Sequence, residues 1–402
     1  MGSIKKRITQ LLRKHHYWRE IGFDELSELY IGAMFRSLSL SIIGVFIPLY
    51  LLRLGYPVLD IVVLFAWYYV FLVPLAPVTA KLILLIGPKH TILVSHVFQI
   101  ATLGLFMTLS LFHWPLLVLA AVWAIANSLY YIAYHVDFSK IKHTEHGGKE
   151  LGLASILENI GYAAGPVVGG ILATFFGAQF AFLVATVILF IGIVPLMSTA
   201  EQVTLHRPLN FRLFTLRRMF RDSFVFSWLC VENLVSTFFW PLYISLFLVT
   251  GLAYAELGAI STAGFLASLI MARLIGQLTD RHKGRQLLQG SVLGMSATFL
   301  VRPFLQSIGI AGFVNLIYQS ATMGMNLPFY KGLYDHADEY GEHRVEYFTI
   351  LEVVNAFLRA LVCWAAVLLL GHYNTQLVLM LTFVLAAIAC CAGIAERFEA
   401  LD

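Results

Sequence analysis

Apolar residues dominate this chain in long runs rather than in one-sided stripes. Runs of roughly 20 residues, the length a bilayer core demands, recur at 30–52, 61–81, 91–112, 116–136, 151–174 and 178–197. They resume at 223–249, 257–278, 287–306, 309–330, 348–370 and 377–394. Short polar or Gly/Pro-containing segments separate them, so the pattern predicts an all-α integral membrane protein of twelve spanning helices. A basic stretch from Arg207 to Arg221 divides six runs from six. The predicted organisation is an N-terminal segment at 1–29, a six-helix bundle at 30–200 and a linker at 201–222. A second six-helix bundle at 223–394 and a tail at 395–402 complete it. Ile4, Ile8, Leu11 and Leu12 share one face of a basic N-terminal segment, which suits an interfacial helix or a solvated tail. No apolar core forms before Tyr30, so a cleavable signal peptide is not expected.

Composition agrees with the pattern. Hydrophobic residues make up 59% of the 402 and charged ones 12%, about half the charged fraction of an ordinary soluble chain. The net charge of +4 is modest and forms no continuous basic face, so nucleic-acid binding is not expected. Its distribution fixes the predicted orientation. Of the 27 Lys and Arg, Arg36, Arg273, Arg302 and Arg359 lie within the runs and only Arg53 falls on the outer side. The other 22 gather on the side of the N-terminus, which is the cytoplasmic side by the positive-inside rule, with both termini there. Cys230, Cys363, Cys390 and Cys391 stand in apolar runs without metal-type spacing and read as small buried hydrophobes. The sequence has no Asn-x-Ser/Thr acceptor, which favours a bacterial inner membrane.

The two halves read as copies. Phe46-Ile47-Pro48-Leu49-Tyr50 at the end of helix 1 matches Phe239-Trp240-Pro241-Leu242-Tyr243 in helix 7. Ile156-Leu157-Glu158 in helix 5 matches Ile350-Leu351-Glu352 in helix 11 at nearly the same offset. Parallel six-helix repeats of this kind are a transporter architecture.

Helix 5 carries Gly152, Gly161, Gly165-Pro166 and Gly169-Gly170, and between helices 8 and 9 stands Gly276-Gln277-Leu278-Thr279-Asp280-Arg281-His282-Lys283-Gly284-Arg285. The first resembles the helix-5 glycine motif of antiporters in the major facilitator superfamily. The second resembles that superfamily's loop motif with one extra residue. The resemblance implies two halves rocking about a central site, with helices 1, 4, 7 and 10 lining it and the Asp280 loop latching the cytoplasmic side. The first-half loop motif is degraded to Ala80-Lys81 and Gly87-Pro88-Lys89, and helix 4 lacks the arginine usual in proton-driven drug exporters of the superfamily. Physically, Gly161, Gly165 and Gly169 form one stripe where another helix can approach closely, and Pro166 removes a backbone donor.

Charges within the runs are costly, roughly 2.5–3.5 kcal/mol each at the bilayer centre even on lenient scales. With Arg302 expected to snorkel outward, the others are Arg36, Glu158, Glu232, Arg273, Glu352 and Arg359. Buried neutralising pairs would account for them, among them Arg273 with Glu158 and Arg36 with Glu232. Glu232 sits mid-helix before Ser236, Trp240 and Tyr243, and a carboxyl there can exchange protons; Glu352 and Glu158 are the further proton-coupling candidates.

Polar stripes predict a cavity. Asn127, Tyr130, Tyr131 and Tyr134 repeat along helix 4, Asn315, Gln319, Asn326 and Tyr330 along helix 10, and Arg36, Ser37 and Ser41 along helix 1. Faces this polar need protein or water beside them. The expected substrate-binding set is Arg36, Asn127, Tyr130, Tyr134, Trp240, Asn315, Gln319, Asn326 and Tyr330, for an amphipathic organic molecule. The expected gating set is Gly152, Gly161, Gly165, Pro166, Gly169, Gly170, Gly276, Asp280, Arg281, Gly284 and Arg285. No P-loop, metal cluster or nucleophile–base constellation occurs, so neither an ATP-driven pump, a cofactor nor an enzyme is expected. The sequence reading is a monomeric secondary transporter, exchanging protons for a small organic solute in efflux. Uptake of an anionic metabolite anchored by Arg36, or a non-transporting scaffold or sensor, are the alternatives.

Overall fold

The computed structural model describes residues 25–141, 147–197, 207–211, 216–249, 253–279 and 284–391. Among these the chain is helical and forms twelve rods. They are α1 (Glu25–Gly44, then Ile47–Arg53), α2 (Val58–Ile86), α3 (Pro88–Met107), α4 (Leu116–Ile141), α5 (Gly147–Phe175) and α6 (Ala178–Leu196). Then follow α7 (Leu216–Leu234, a π-turn at Val235–Phe239, then Trp240–Phe247), α8 (Ala253–Thr279), α9 (Gly284–Val301), α10 (Ile308–Asp338), α11 (Arg344–Leu370) and α12 (Thr375–Cys391). Eight of them, α1 to α7 and α11, are long and apolar enough to cross a membrane, while α12 is apolar but shorter. The expectation that α8, α9, α10 and α12 also cross rests on the sequence. The expected interfacial helix and the Asp280–Arg281 stretch lie outside the described residues.

The repeat is visible in the packing. In the first half α1 packs on α5 and α6, α2 on α4, and α3 on α4 and α6. In the second half α7 packs on α11 and α12, α8 on α10, and α9 on α10 and α12. Each of these first-half pairs recurs six helices later. The seams between the halves repeat as well, α5 against α8 and α2 against α11. The matched prolines have the same local effect. Pro48 and Pro241 each stand in the first turn of a second helical segment, after a break at Val45–Phe46 in α1 and after the π-turn in α7. A proline cannot donate to the preceding turn, so both rods are interrupted at equivalent points.

The α5 glycines set the closest approaches. A Cβ on Gly161 would stand 2.8 Å from the Leu38 nitrogen and the Met34 oxygen, both in α1. One on Gly165 would overlap Ser41, and one on Gly169 would overlap the Ile42 carbonyl oxygen. On the other face, a Cβ on Gly170 would lie 2.8 Å from the Tyr254 oxygen, and one on Gly258 would lie 2.5 Å from the Pro166 oxygen. Helix α5 is thus held between α1 and α8 at backbone distance. Helix α11 makes the equivalent contact with α7 differently. Arg359, at the position matching Gly165, donates from Nε to the Cys230 carbonyl at 2.8 Å.

At the end where α1 begins, the linker is pinned to α11. Arg207 donates to both oxygens of Glu346, at 2.5 and 2.6 Å, and Glu346 is fully buried. Removing the guanidinium leaves buried Glu346 with the Asn210 N–H and the His343 ring, which do not replace the two-pronged ion pair. Arg207→Ala is therefore expected to lower unfolding stability by about 3 kcal/mol, read as a fall in the thermal midpoint of detergent-purified protein. A midpoint equal to that of the unaltered chain would show that the linker contact contributes nothing.

Candidate functional site

Lys89 and Glu28 pair with each other near the start of α1, at 3.0 Å, whereas the mid-helix charges Arg36, Glu158 and Glu352 are held by neutral groups. Arg36, 2% exposed, donates from Nη2 to Asn127 Oδ1 at 2.9 Å and lies over the Tyr130 ring, 3.7 Å from its centroid. Its Nη1 has no partner among the described residues. Tyr134 stacks on Tyr130 and donates its hydroxyl to Glu158 at 2.6 Å. Asn355 donates from Nδ2 to Glu352 at 3.2 Å. None of Arg36, Glu158, Glu352 and Arg359 forms an ion pair within 4.0 Å among the described residues.

Glu232 lies in a separate cluster. It is 2% exposed and accepts a short hydrogen bond from the Tyr318 hydroxyl of α10. On the other side of Tyr318 is Arg302, whose guanidinium lies 4.5 Å from the ring centroid. The expectation that Arg302 snorkels outward is overturned: it is 0% exposed. The chain leaves α9 through a 3₁₀ turn at Arg302–Phe304, which directs the side chain inward. There Trp240, Phe299 and Tyr318 surround the guanidinium at 4.2–4.6 Å, and Nη2 donates to Ser236 at 3.3 Å. Aromatic faces attract a desolvated cation, so this site substitutes for the bilayer surface. The expected pairing of Glu232 with Arg36 is corrected in the same way. Arg36 serves α4, and Glu232 and Arg302 share Tyr318 as a common neighbour. Arg273, with its expected link to Glu158, lies outside the described side chains.

The predicted lining residues divide among several environments. Arg36, Asn127, Tyr130 and Tyr134 come together at the α1–α4 contact. Trp240 belongs to the Arg302 cage. Asn315 turns to α8, donating to the Ile260 carbonyl at 3.3 Å, with Gln319 against Gly264 of the same helix. Tyr330 stacks on His135; Asn326 is half-buried. A cavity of about 30 Å³ lies between α2, α4 and α11 rather than among α1, α4, α7 and α10. Asn127, Tyr131, Tyr68, Tyr69, Glu352 and Arg359 are among its lining. That volume holds about two water molecules.

Both ends of the bundle are closed around these groups. At the end where α1 begins, His135 of α4 meets the Tyr334 hydroxyl of α10 at 2.7 Å and stacks on Phe348 of α11. Arg344 of α11 donates to the Ser139 carbonyl of α4 at 2.5 Å. At the opposite end Phe65 of α2 stacks on Phe238 at 3.7 Å, Trp67 meets Trp364, and Phe46 meets Tyr254. Sequence reasoning did not single out His135, Tyr318, Tyr334, Tyr68 or Tyr69. Tyr318 follows Asn315 by one helical turn, which is the signal that could have found it; His135 stands beside the Tyr130–Tyr134 stripe.

The cysteines are free; Cys363 and Cys390 are buried, but Cys391 is exposed, contrary to the reading of all four as buried hydrophobes. Residues 29–358 match the family model described as Major Facilitator Superfamily. No curated protein matches the chain.

Proposed function

The chain belongs to the major facilitator superfamily, and on that premise we propose that it is a secondary active transporter moving a small organic solute by alternating access, through proton-coupled antiport. Members of that family are transporters rather than enzymes, and the apolar helices make this chain a multi-pass membrane protein. The observation that carries the proposal is the manner in which buried charge is held. Glu232, Glu158 and Glu352 each rest against a single neutral hydroxyl or amide donor in a bundle closed at both ends. A buried carboxyl held this way can gain or lose a proton without breaking an ion pair, which proton coupling requires. The N-terminal end, rich in Lys and Arg, is the cytoplasmic one in this reading.

The two seams α5–α8 and α2–α11 are the surfaces on which the halves rock, with the α5 glycines letting backbones slide in contact. The test is proton flux in liposomes holding the purified chain under an imposed pH gradient, against a panel of amphipathic solutes. Solute-dependent proton movement supports the proposal. Solute uptake into vesicles with no proton movement removes coupling and leaves a facilitator.

A second reading, uptake of an anionic metabolite, is favoured by the unpartnered Nη1 of Arg36. It predicts that Arg36→Gln weakens transport of anionic solutes at least tenfold while sparing neutral ones. Equal loss for both classes would return Arg36 to a structural role against Asn127 and Tyr130.

A further inference from the structure

We propose that the cavity between α2, α4 and α11 is the closed form of a binding subsite for a small zwitterion with an apolar or aromatic flank. Arg359 takes the carboxylate, and Asn355 with Glu352 takes the ammonium group. This rests on the transporter reading and names its substrate class.

The first observation is an orphaned acceptor. Asn355 is 5% exposed and lines the cavity; its Nδ2 is spent on Glu352, and its Oδ1 has no partner among the described residues. A buried acceptor left without a donor is destabilising, so a donor belongs there. Water can supply it in the closed form, and an ammonium N–H in the bound form.

The second observation is the cation one turn away. Asn355 and Arg359 are four residues apart on α11, so their side chains are neighbours on one face. Arg359 is anchored by α7 through Nε at the Cys230 carbonyl and Nη2 near Asn233. A guanidinium has five N–H groups, so this anchor leaves donors over while fixing their direction. An acceptor for N–H and a donor for carboxylate thus stand on one face of α11, both lining the cavity.

The charge balance decides against a singly charged ligand. Arg359 and Glu352 line the cavity, and behind them Arg36 and Glu158 balance each other through Asn127 and Tyr134. Adding one net charge to a balanced, buried site carries a large desolvation penalty. A zwitterion adds none, and each of its ends meets an opposite charge. Tyr68, Tyr69 and Tyr131 supply flat apolar walls for the remainder of the molecule.

The cavity lies on the α2–α11 seam, and at 30 Å³ it admits no such solute until that seam parts. Trp67 of α2 and Trp364 of α11 meet across it at 5.6 Å and should report the opening. The experiment is titration of the purified full chain in lipid nanodiscs, read by tryptophan fluorescence. The probes are L-phenylalanine and L-leucine, each with its two one-ended analogues: 3-phenylpropionate and phenethylamine, 4-methylpentanoate and isopentylamine. The expected result is a saturable change with at least one zwitterion and at least tenfold weaker binding of both its analogues. In Asn355→Leu the zwitterion should weaken to the level of the acid analogue, whose own binding is unchanged. No response to either zwitterion overturns the inference, and so does an acid analogue that binds as tightly; the latter leaves the transporter reading intact with an anionic solute. Zwitterion binding without proton flux keeps the inference and removes the coupling.

Discussion

Glu232→Gln abolishes solute-dependent proton movement, reducing it at least tenfold to the leak of empty liposomes, while the protein remains folded. The substitution is nearly isosteric, and the amide oxygen still accepts from Tyr318. What it removes is the exchangeable proton and the charge that Arg302 feels. Arg302 keeps its cage of Trp240, Phe299 and Tyr318 and its bond to Ser236, so the loss of its anionic neighbour leaves it stabilised by ring faces. Solute binding, read without a pH gradient, should change by less than about threefold, because Glu232 is not among the residues lining the α2–α4–α11 cavity. Flux that survives the substitution would move the coupling role to Glu352 or Glu158. A protein that no longer folds would instead make Glu232 a structural acceptor for Tyr318.

Gly169→Ala is expected to destabilise the bundle by about 3 kcal/mol, at the upper end of ordinary overpacking, and Gly169→Leu to prevent recovery of folded protein. The added Cβ would overlap the Ile42 carbonyl oxygen of α1. A backbone atom inside a helix cannot swing aside as a side-chain tip can, so α1 and α5 must separate. The matched control is Gly104→Ala in α3, where a Cβ meets nothing within 4 Å. There the gain in helix propensity is worth about 1 kcal/mol at most. Thermal midpoints and the monodisperse fraction after size exclusion report both. A Gly169→Ala protein as stable as Gly104→Ala would mean that the two helices are not in backbone contact.

The bundle was legible in the sequence because its signals are local. An apolar run long enough to span, a glycine stripe and a proline each act within one helix; the apolar runs recur in both halves, and the prolines recur at equivalent places in α1 and α7. The partners of the buried charges were not legible. Periodicity tells which side of a helix is polar but not which helix it meets. The stripe of Asn315 and Gln319 was read as cavity lining, yet α8 takes it because Gly264 leaves room there. Arg302 was read as an end residue because it closes an apolar run. Only the 3₁₀ turn that follows α9 directs it inward to Trp240 and Tyr318. The polar stripes point to a cavity among α1, α4, α7 and α10, and it lies on α2, α4 and α11. Its tyrosines, Tyr68 and Tyr69, sit in a helix so uniformly apolar that two hydroxyls made no stripe.

Alternating access is tested most directly by distances at both ends of the bundle. Spin labels would be placed in a cysteine-free background at exposed positions, Leu85 with Glu339 at the end where α1 begins, and His113 with His372 at the other. Each pair joins the two halves, and the measurement is the change in both distances on adding transported solute in lipid nanodiscs. The account predicts opposite changes, one pair lengthening as the other shortens. Two distances that stay fixed, or that lengthen together, would contradict it.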